Sequence, residues 1–240
     1  VGHMNLGAGR IIYQDLAKIN LAVEHKTLNQ EKVLVDAFQY AKDNNKDVHF
    51  LGLVSDGGVH SHIDHLKGLV DATQSFGLDK VFIHAFTDGR DVDPKSGAFF
   101  ISSLENHIKD TTVKLASIVG RYYAMDRDRR WERVKLAYDL IVNGVGTPST
   151  NALDSIHNDY KQDITDEFLK PIVMVDENNE PVAKVKEGDV VIFFNFRTDR
   201  GRQLTEVLSQ NDCHEQNMHK LDLYYVTMTN YDDNFVGMHV

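Results

Sequence analysis

Short apolar runs alternate with amphipathic segments through most of this 240-residue chain. The runs of strand length cover residues 48–54, 81–86, 113–119, 190–196 and 221–228. Between them apolar side chains recur at helical spacing, as at Leu34, Phe38 and Ala41. Strands that alternate with helices imply right-handed crossovers and a mostly parallel sheet. The pattern therefore predicts an α/β fold with a mostly parallel sheet of about five strands and helices on both faces.

The alternation is interrupted between residues 145 and 187. Ser149 or Thr150 is expected to cap a short helix that runs to Tyr160. Two apolar segments, residues 172–175 and 181–185, then flank the polar stretch DENNE, which predicts a small β-hairpin. We interpret this region as an insertion and not as a separate domain.

Composition narrows the range of partners and locations. The formal net charge is −10, which argues against general nucleic-acid binding because such binding needs a basic face. The single cysteine, Cys213, cannot form an internal disulfide and fits a reducing compartment. No apolar run is long enough to span a bilayer. We therefore expect a cytoplasmic protein without nucleic-acid or membrane partners.

The turns that follow the predicted strands are polar and rich in arginine. Their sequences are SDGGVHSH, TDGRDVDP, GRYYAMDRDRRW, FRTDRGR and TNYDD, and nine of the ten arginines lie in or just after them. In an open parallel sheet, ligands bind beyond the carboxyl ends of the strands. Because arginine can hold a carboxylate or phosphate with two parallel hydrogen bonds, the pattern predicts a site for a small anion at this edge.

The arginines are not expected to act alike. We predict ligand contacts for Arg90, Arg121, Arg127, Arg197 and Arg200. A second group is expected to be solvated or to pair with neighbouring carboxylates such as Asp126: Arg129, Arg130, Arg133 and Arg202.

Two further residue types in these turns carry candidate chemistry. Asp91 is either a turn residue or a carboxylate placed to move a proton while Arg90 holds the substrate. His60 and His62 form a His-x-His pair after a strand, which is found in metal sites but also at helix starts. We favour a helix cap for His62, and substrate contact or proton transfer for His60.

Four motifs, in this order, resemble those of the cofactor-independent phosphoglycerate mutases: SDGGVHSHIDH, HAFTDGRD, GRYYAMDRDRRW and FFNFRTDR. The resemblance runs from residue 1 to about residue 235. It implies a family with two domains. One is related to alkaline phosphatase and carries two manganese ions and a serine that becomes phosphorylated. The other, inserted into it, is a phosphotransferase domain that holds the phosphoglycerate, and this chain resembles that domain alone.

The resemblance also implies a division of the chain. Residues 1–12 are expected to be a linker, residues 13–233 the substrate-binding domain, and residues 234–240 the start of a second linker. The opening VGHMN is similar to the segment that follows the nucleophilic serine in the family. The serine and the metal ligands are therefore expected outside this chain. No cofactor is expected in the chain itself, and two Mn²⁺ ions are implied for the full-length enzyme.

The roles implied by the resemblance match those from the strand-end argument. Substrate contacts are expected from His60, Arg90, Asp91, Arg121, Arg127, Arg197 and Arg200, with proton transfer by Asp91 assisted by His60. The implied reaction is a glycolytic isomerisation, of the bacterial type, between 3-phosphoglycerate and 2-phosphoglycerate. The isolated chain is expected to bind phosphoglycerate without isomerising it, and its partner is the phosphatase-like domain. The alternatives are a free-standing module for anionic metabolites and a metal-dependent hydrolase that uses His60 and His62.

Overall fold

The computed structural model describes residues 14–240, so the linker predicted over residues 1–12 lies outside the described residues. Residues 14–24 are helical and are called α1. The helices that follow are α2 (Lys32–Asn44), α3 (Ile63–Ser75), α4 (Gly97–Ile108), α5 (Arg121–Ala124), α6 (Trp131–Asn143), α7 (Ala152–Lys161) and α8 (Arg202–Ser209). The strands are β1 (Val48–Leu53), β2 (Val81–Thr87), β3 (Val113–Gly120), β4 (Thr147–Ser149), β5 (Ile172–Met174), β6 (Val190–Phe193), β7 (Tyr224–Thr227) and β8 (Met238–His239).

All of these strands belong to one sheet with the order β4-β5-β3-β2-β1-β6-β7-β8. Six of them, from β3 to β8 in that order, run parallel, and β4 and β5 run the opposite way. The α/β class and the mostly parallel sheet are confirmed, but the prediction of about five strands is wrong, because the sheet has eight. Of the additional strands, β4 and β8 are too short to produce an apolar run, and β5 lies in the apolar segment that was assigned to a hairpin.

Helices cover both faces of the sheet and close a separate core on each. Apolar side chains of α2, α3, α4 and α7 form the core on one face. Those of α6 and α8 form the core on the other face. The central strand β1 is buried along its whole length, which explains why it lacks the alternation of a half-exposed strand.

The insertion differs from its predicted form. Residues 172–174 do not make a free hairpin but join the main sheet as β5, antiparallel to β3. The expected pairing is present in short form: Val175 and Pro181 form an isolated bridge, and the N–H groups of Val182 and Asp176 donate to the oxygens of Met174 and Glu180. The short helix is present as α7, and its cap is the side chain of Asn151, which accepts from the Asp154 N–H, instead of Ser149 or Thr150.

The ends of the described chain also contribute to the sheet. Met238 and His239 form β8, which pairs with β7, inside the segment predicted to start the second linker. No helix within residues 14–240 has the length and apolar character needed to cross a membrane. The five central parallel strands place their carboxyl ends at one edge, and the polar turns begin there.

Candidate active site

The buried guanidinium of Arg121 joins three of the strand-end turns. Arg121 follows the last residue of β3 and is the first residue of α5. Its Nη1 donates to Asp88 Oδ1 at 2.9 Å and to Asp91 Oδ2 at 2.7 Å. Its Nη2 lies 3.2 Å from His60 Nε2. One arginine therefore fixes side chains from the turns after β1 and β2 in relation to the end of β3.

Asp88 is the buried carboxylate on which this arrangement is built. Its Oδ2 accepts from the Ser55 hydroxyl at 2.6 Å, and its Oδ1 accepts from the backbone N–H groups of Arg90 and Asp91 at 3.1 and 2.9 Å. Burial alone would raise the pKa of Asp88, but the Ser55 and backbone hydrogen bonds and the charge of Arg121 lower it. Asp88 thus remains a charged partner for Arg121 and shapes the Arg90–Asp91 turn.

His60 is a buried, neutral imidazole with one free ring nitrogen. Burial, followed by the neighbouring charge of Arg121, lowers the pKa of His60 to about 4. Because Arg121 can only donate, the His60 Nε2 must accept, and the ring proton is assigned to Nδ1. Among residues 14–240 the buried Nδ1 has no hydrogen-bond partner, and it lies 4.0 Å from Asp199 Oδ1. His60 therefore offers one unused N–H donor in the site.

Asp199 bridges two of the candidate arginines. Its Oδ2 accepts from Arg127 Nη1 at 3.0 Å, and its Oδ1 accepts from Arg197 Nε at 3.0 Å. Burial would raise the pKa of Asp199, whereas Arg197 and Arg127 lower it. The backbone N–H of Arg197 lies 3.4 Å from the backbone oxygen of His60, which ties the turn after β6 to the turn after β1.

A cleft of about 150 Å³ opens beside these groups. Its lining is mostly charged and consists of Arg90, Arg121, Tyr122, Asp126, Asp128, Arg133, Glu167, Phe168 and Arg200. Arg200 Nη1 donates to the backbone oxygen of Met125 at 3.2 Å. Burial and the nearby charges of Arg127, Arg121 and Arg90 lower the pKa of Arg200, so these cations repel one another. A larger cavity of about 520 Å³, lined by residues 18–34, residues 226–228 and Val240, contains none of the predicted site residues.

The seven predicted site residues all lie at this edge, and five of them connect through short contacts. The direct contacts join His60, Asp91 and Arg121, while Asp199 joins Arg127 and Arg197. Arg90 and Arg200 line the cleft with Arg121. The assignment of these residues as substrate contacts stays a prediction.

Sequence reasoning missed the acidic partners of the arginines. Ser55, Asp88 and Asp199 lie inside the quoted motifs, and each is polar at a strand end, so their position was a usable signal. Glu167 comes from the insertion, where no local signal marks it. Arg133 pairs with Asp126 at 3.6 Å, as expected, but its guanidinium also lies 4.0 Å from the centre of the Tyr122 ring at the cleft wall.

The histidine pair does not fit a metal centre. His60 Nε2 faces the guanidinium of Arg121, which repels a cation, and His62 Nδ1 accepts from the Asp64 N–H as the cap of α3. Within residues 14–240, two groups have ligand atoms within 4.8 Å of one another: Asp212, His214 and His219, and Asp47, His49 and Asp189. Neither group includes His60 or His62. We therefore derive no chemistry through a metal at this cleft.

The buried histidines predict acid destabilisation. Burial lowers the pKa of His60 and His65 to about 4 and lowers the pKa of His84 well below its usual value. Between pH 6.5 and 4 the unfolded chain binds these protons and the folded chain does not, so stability falls as pH falls through this window. Burial raises the pKa of Asp166 to about 6 and also raises the pKa values of Glu105 and Asp159, so these carboxyl groups act in the opposite direction.

Replacement of one of these histidines should measurably reduce the slope of unfolding free energy against pH. His65→Gln is expected to lower the dependence of unfolding free energy on pH by about 1.4 kcal/mol per pH unit between pH 6 and 5, the value for one proton. Urea unfolding at several pH values measures it. His214→Gln, at a side chain that is 79% exposed, is the matched control and should leave the slope unchanged. An equal slope in both variants would contradict the assignment.

Comparison with known proteins gives consistent results. The sequence model of the family described as "BPG-independent PGAM N-terminus (iPGM_N)" matches residues 19–233. A Flavobacterium johnsoniae protein named 2,3-bisphosphoglycerate-independent phosphoglycerate mutase is 74% identical over 240 residues, which is all of this chain and 48% of that protein. A Parabacteroides distasonis protein of the same name is 55% identical over 241 residues, covering all of this chain and 47% of that protein.

A solved structure shows the same fold. The crystal structure of Leishmania mexicana phosphoglycerate mutase at low cobalt concentration is similar with a TM-score of 0.82 and 26% identity, over 92% of this chain and 42% of that chain. The chain spans about half the length of the curated relatives it matches. The family model matches most of the residues of this chain. The chain therefore belongs to the family of BPG-independent phosphoglycerate mutase N-terminal regions.

Proposed function

We propose that this chain binds phosphoglycerate in the strand-end cleft and forms the substrate-binding half of an isomerase that interconverts 3-phosphoglycerate and 2-phosphoglycerate. The observation that carries this proposal is the convergence of five arginines and His60 on one sheet edge in a chain of net charge −10. A substrate with a phosphate and a carboxylate needs several such donors. The names of the relatives and their bacterial organisms support the same reaction. The glycolytic role and the cytoplasmic location are part of this proposal.

Arg200 is the best candidate for direct anion binding. It donates to the backbone of Met125 and forms no ion pair with a carboxylate in the part of the chain that the structure describes. Its charge faces those of Arg90, Arg121 and Arg127. A bound phosphate or carboxylate relieves that repulsion, whereas a neutral ligand does not.

Asp91 and His60 are the proposed proton-transfer pair. The Asp91 carboxylate is held by Arg121, and its side chain is 17% exposed, so part of it is accessible at the strand-end edge. It would take a proton from a glycerate hydroxyl when that oxygen attacks phosphorus and return one when the phosphate leaves. The free Nδ1–H of neutral His60 would donate to a substrate oxygen and fix its orientation. Asp91 is therefore assigned as catalytic and His60 as its assistant.

The phosphate is proposed to transfer through a serine on the other half of the relatives' length, where two Mn²⁺ ions would also bind. During this transfer the present chain holds the glycerate. The glycerate reorients before the phosphate returns to the other hydroxyl. The 240-residue chain is then expected to bind phosphoglycerate without turning it over, and turnover by the purified chain would contradict this division of labour.

Arg127→Ala tests the binding role. Loss of one charge-assisted contact should weaken binding of 2-phosphoglycerate by about 1.5–3 kcal/mol, or roughly 10- to 150-fold. Calorimetric titration of the chain measures it. Arg129→Ala, an exposed arginine two residues away, is the matched control and should bind like the parent.

The same titration separates the competing functions. Unchanged affinity in a folded Arg127→Ala variant would remove Arg127 from the site. Equal affinity of the parent for unrelated sugar phosphates would favour a general module for anionic metabolites over the proposed mutase half.

A further inference from the structure

A single 3-10 turn from the insertion, Asp166–Phe168, is fastened to the site loops by its backbone and by one buried carboxylate. The Thr87 hydroxyl donates to the Asp166 backbone oxygen at 2.7 Å, and the Asp166 N–H donates to the Pro94 oxygen at 2.9 Å. The Asp166 side chain accepts from the Gly97 N–H at 2.7 Å and from the Tyr160 hydroxyl. The turn is therefore held against the loop that carries Arg90 and Asp91.

Two glycines allow this close approach. A Cβ on Gly89, which has φ of +65°, would lie 2.8 Å from the Glu167 backbone nitrogen. A Cβ on Gly120 would meet the Glu167 backbone oxygen at a distance that no side chain permits. Gly89 precedes Arg90 and Gly120 precedes Arg121, so the backbone of Glu167 packs directly against both arginine-bearing turns.

The side chains of this turn form one wall of the cleft. Glu167 Oε1 lies 3.5 Å from Arg90 Nη1, and the Glu167 side chain is 20% exposed while that of Arg90 is 54% exposed. The Phe168 ring lies 5.1 Å from the ring of Tyr122. Both Glu167 and Phe168 line the cleft with Arg90, Arg121 and Arg200. A carboxylate in a cleft predicted to bind anions is otherwise unfavourable, and it calls for a role.

We propose that Glu167 is a positioning residue that acts as an internal counter-anion for Arg90 and sets the anion affinity of the cleft. In the free cleft Glu167 holds the exposed guanidinium of Arg90 at the rim. An entering phosphate or carboxylate competes with Glu167 for that guanidinium. The substrate therefore binds less tightly than the arginines alone would dictate, which favours its release. This inference rests on the proposed function for the identity of the substrate.

The direction in which anion affinity changes when Glu167 is replaced distinguishes this role from simple support of the fold. Removal of the negative charge with its shape retained should strengthen anion binding, because the Arg90 guanidinium no longer has a competing internal carboxylate. Removal of a purely structural contact should leave anion binding unchanged or weaken it. Glu167→Gln makes the first change, and Glu167→Asp keeps the charge.

The test is calorimetric titration of the 240-residue chain with 2-phosphoglycerate and, in parallel, with inorganic sulfate. Glu167→Gln is expected to lower the Kd for both anions about 3- to 10-fold, and Glu167→Asp to stay within about twofold of the parent. In an Arg90→Gln background the gain from Glu167→Gln should shrink to less than twofold, because the pair no longer exists. Glu177→Gln, in an exposed turn of the same insertion, is the matched control and should change neither Kd.

Each outcome has one meaning. A parent that binds 2-phosphoglycerate while Glu167→Gln binds both anions with equal or higher Kd overturns the inference. A parent that shows no preference for 2-phosphoglycerate over sulfate contradicts the proposed function. The titrations with sulfate still show whether Glu167→Gln lowers or raises the Kd. Circular dichroism confirms folding of each variant, and Glu167→Ala provides a second charge-removing variant if Glu167→Gln is unfolded.

Discussion

Replacement of Arg121 by methionine is expected to lower the free energy of unfolding by about 3–5 kcal/mol, the usual cost of breaking a buried ion pair from one side. The guanidinium is buried and pairs with Asp88 and Asp91. Methionine fills similar volume but leaves the buried Asp88 carboxylate without its cation, and it removes the donor to His60 Nε2. Urea unfolding at pH 7 measures the loss.

Two further variants show whether the charge pair causes the loss. Arg121→Met combined with Asp88→Asn should recover part of the stability, because the uncompensated charge is gone. Arg129→Met is the matched control: this arginine is exposed and forms no ion pair within residues 14–240, so its loss should cost less than about 1 kcal/mol. An Arg121→Met variant within about 1 kcal/mol of the parent would contradict the central position given to this residue.

Asp91→Asn is expected to reduce kcat about 10²- to 10⁴-fold while phosphoglycerate affinity stays within a few-fold of the parent. Asparagine keeps the size of Asp91 but cannot take or return the hydroxyl proton. Turnover is measured in the Flavobacterium johnsoniae relative carrying this chain in place of its matching 240 residues, since the two are 74% identical there. The unsubstituted chimera provides the reference rate.

The matched control lies in the same loop. Asp93 is exposed, and its side chain accepts only from the backbone N–H of Lys95 among the hydrogen bonds within residues 14–240. Asp93→Asn should leave kcat within about threefold of the reference. If Asp91→Asn retains more than a tenth of the reference kcat, the carboxylate is not the proton-transfer group.

The central sheet was predictable because its strands are buried on both faces. Such strands read as continuous apolar runs, and β1, β2, β3, β6 and β7 all correspond to runs found in the sequence. Of the other three strands, β5 lies in a recognised apolar segment, but its pairing with β3 depends on the tertiary fold. β4 contains Pro148 and is partly exposed, and β8 has two residues, so neither carries a signal of its own.

The positions of the site arginines followed from chain order and one topological rule, because parallel strands bring their carboxyl ends together. Their partners did not follow. Whether Asp199 pairs with Arg127, 72 positions away, depends on how the turns after β3 and β6 pack. The contact between Glu167 and Arg90 depends on the path of the insertion, which crosses back over two turns at glycines. The spacing of these residues in the sequence predicts neither the Asp199–Arg127 contact nor the Glu167–Arg90 contact.

An NMR titration with 2-phosphoglycerate is the sharpest test of phosphoglycerate binding in the strand-end cleft. It follows the signals of the His60 imidazole and of the arginine side chains. We expect saturable, one-to-one shifts of the His60 Nδ1 signal and an unchanged signal of the exposed Arg129. The guanidinium signals expected to shift in the same way are those of Arg90, Arg121, Arg127, Arg197 and Arg200. Saturable shifts confined to residues away from the strand-end cleft, or no saturable binding by the folded chain, would contradict it.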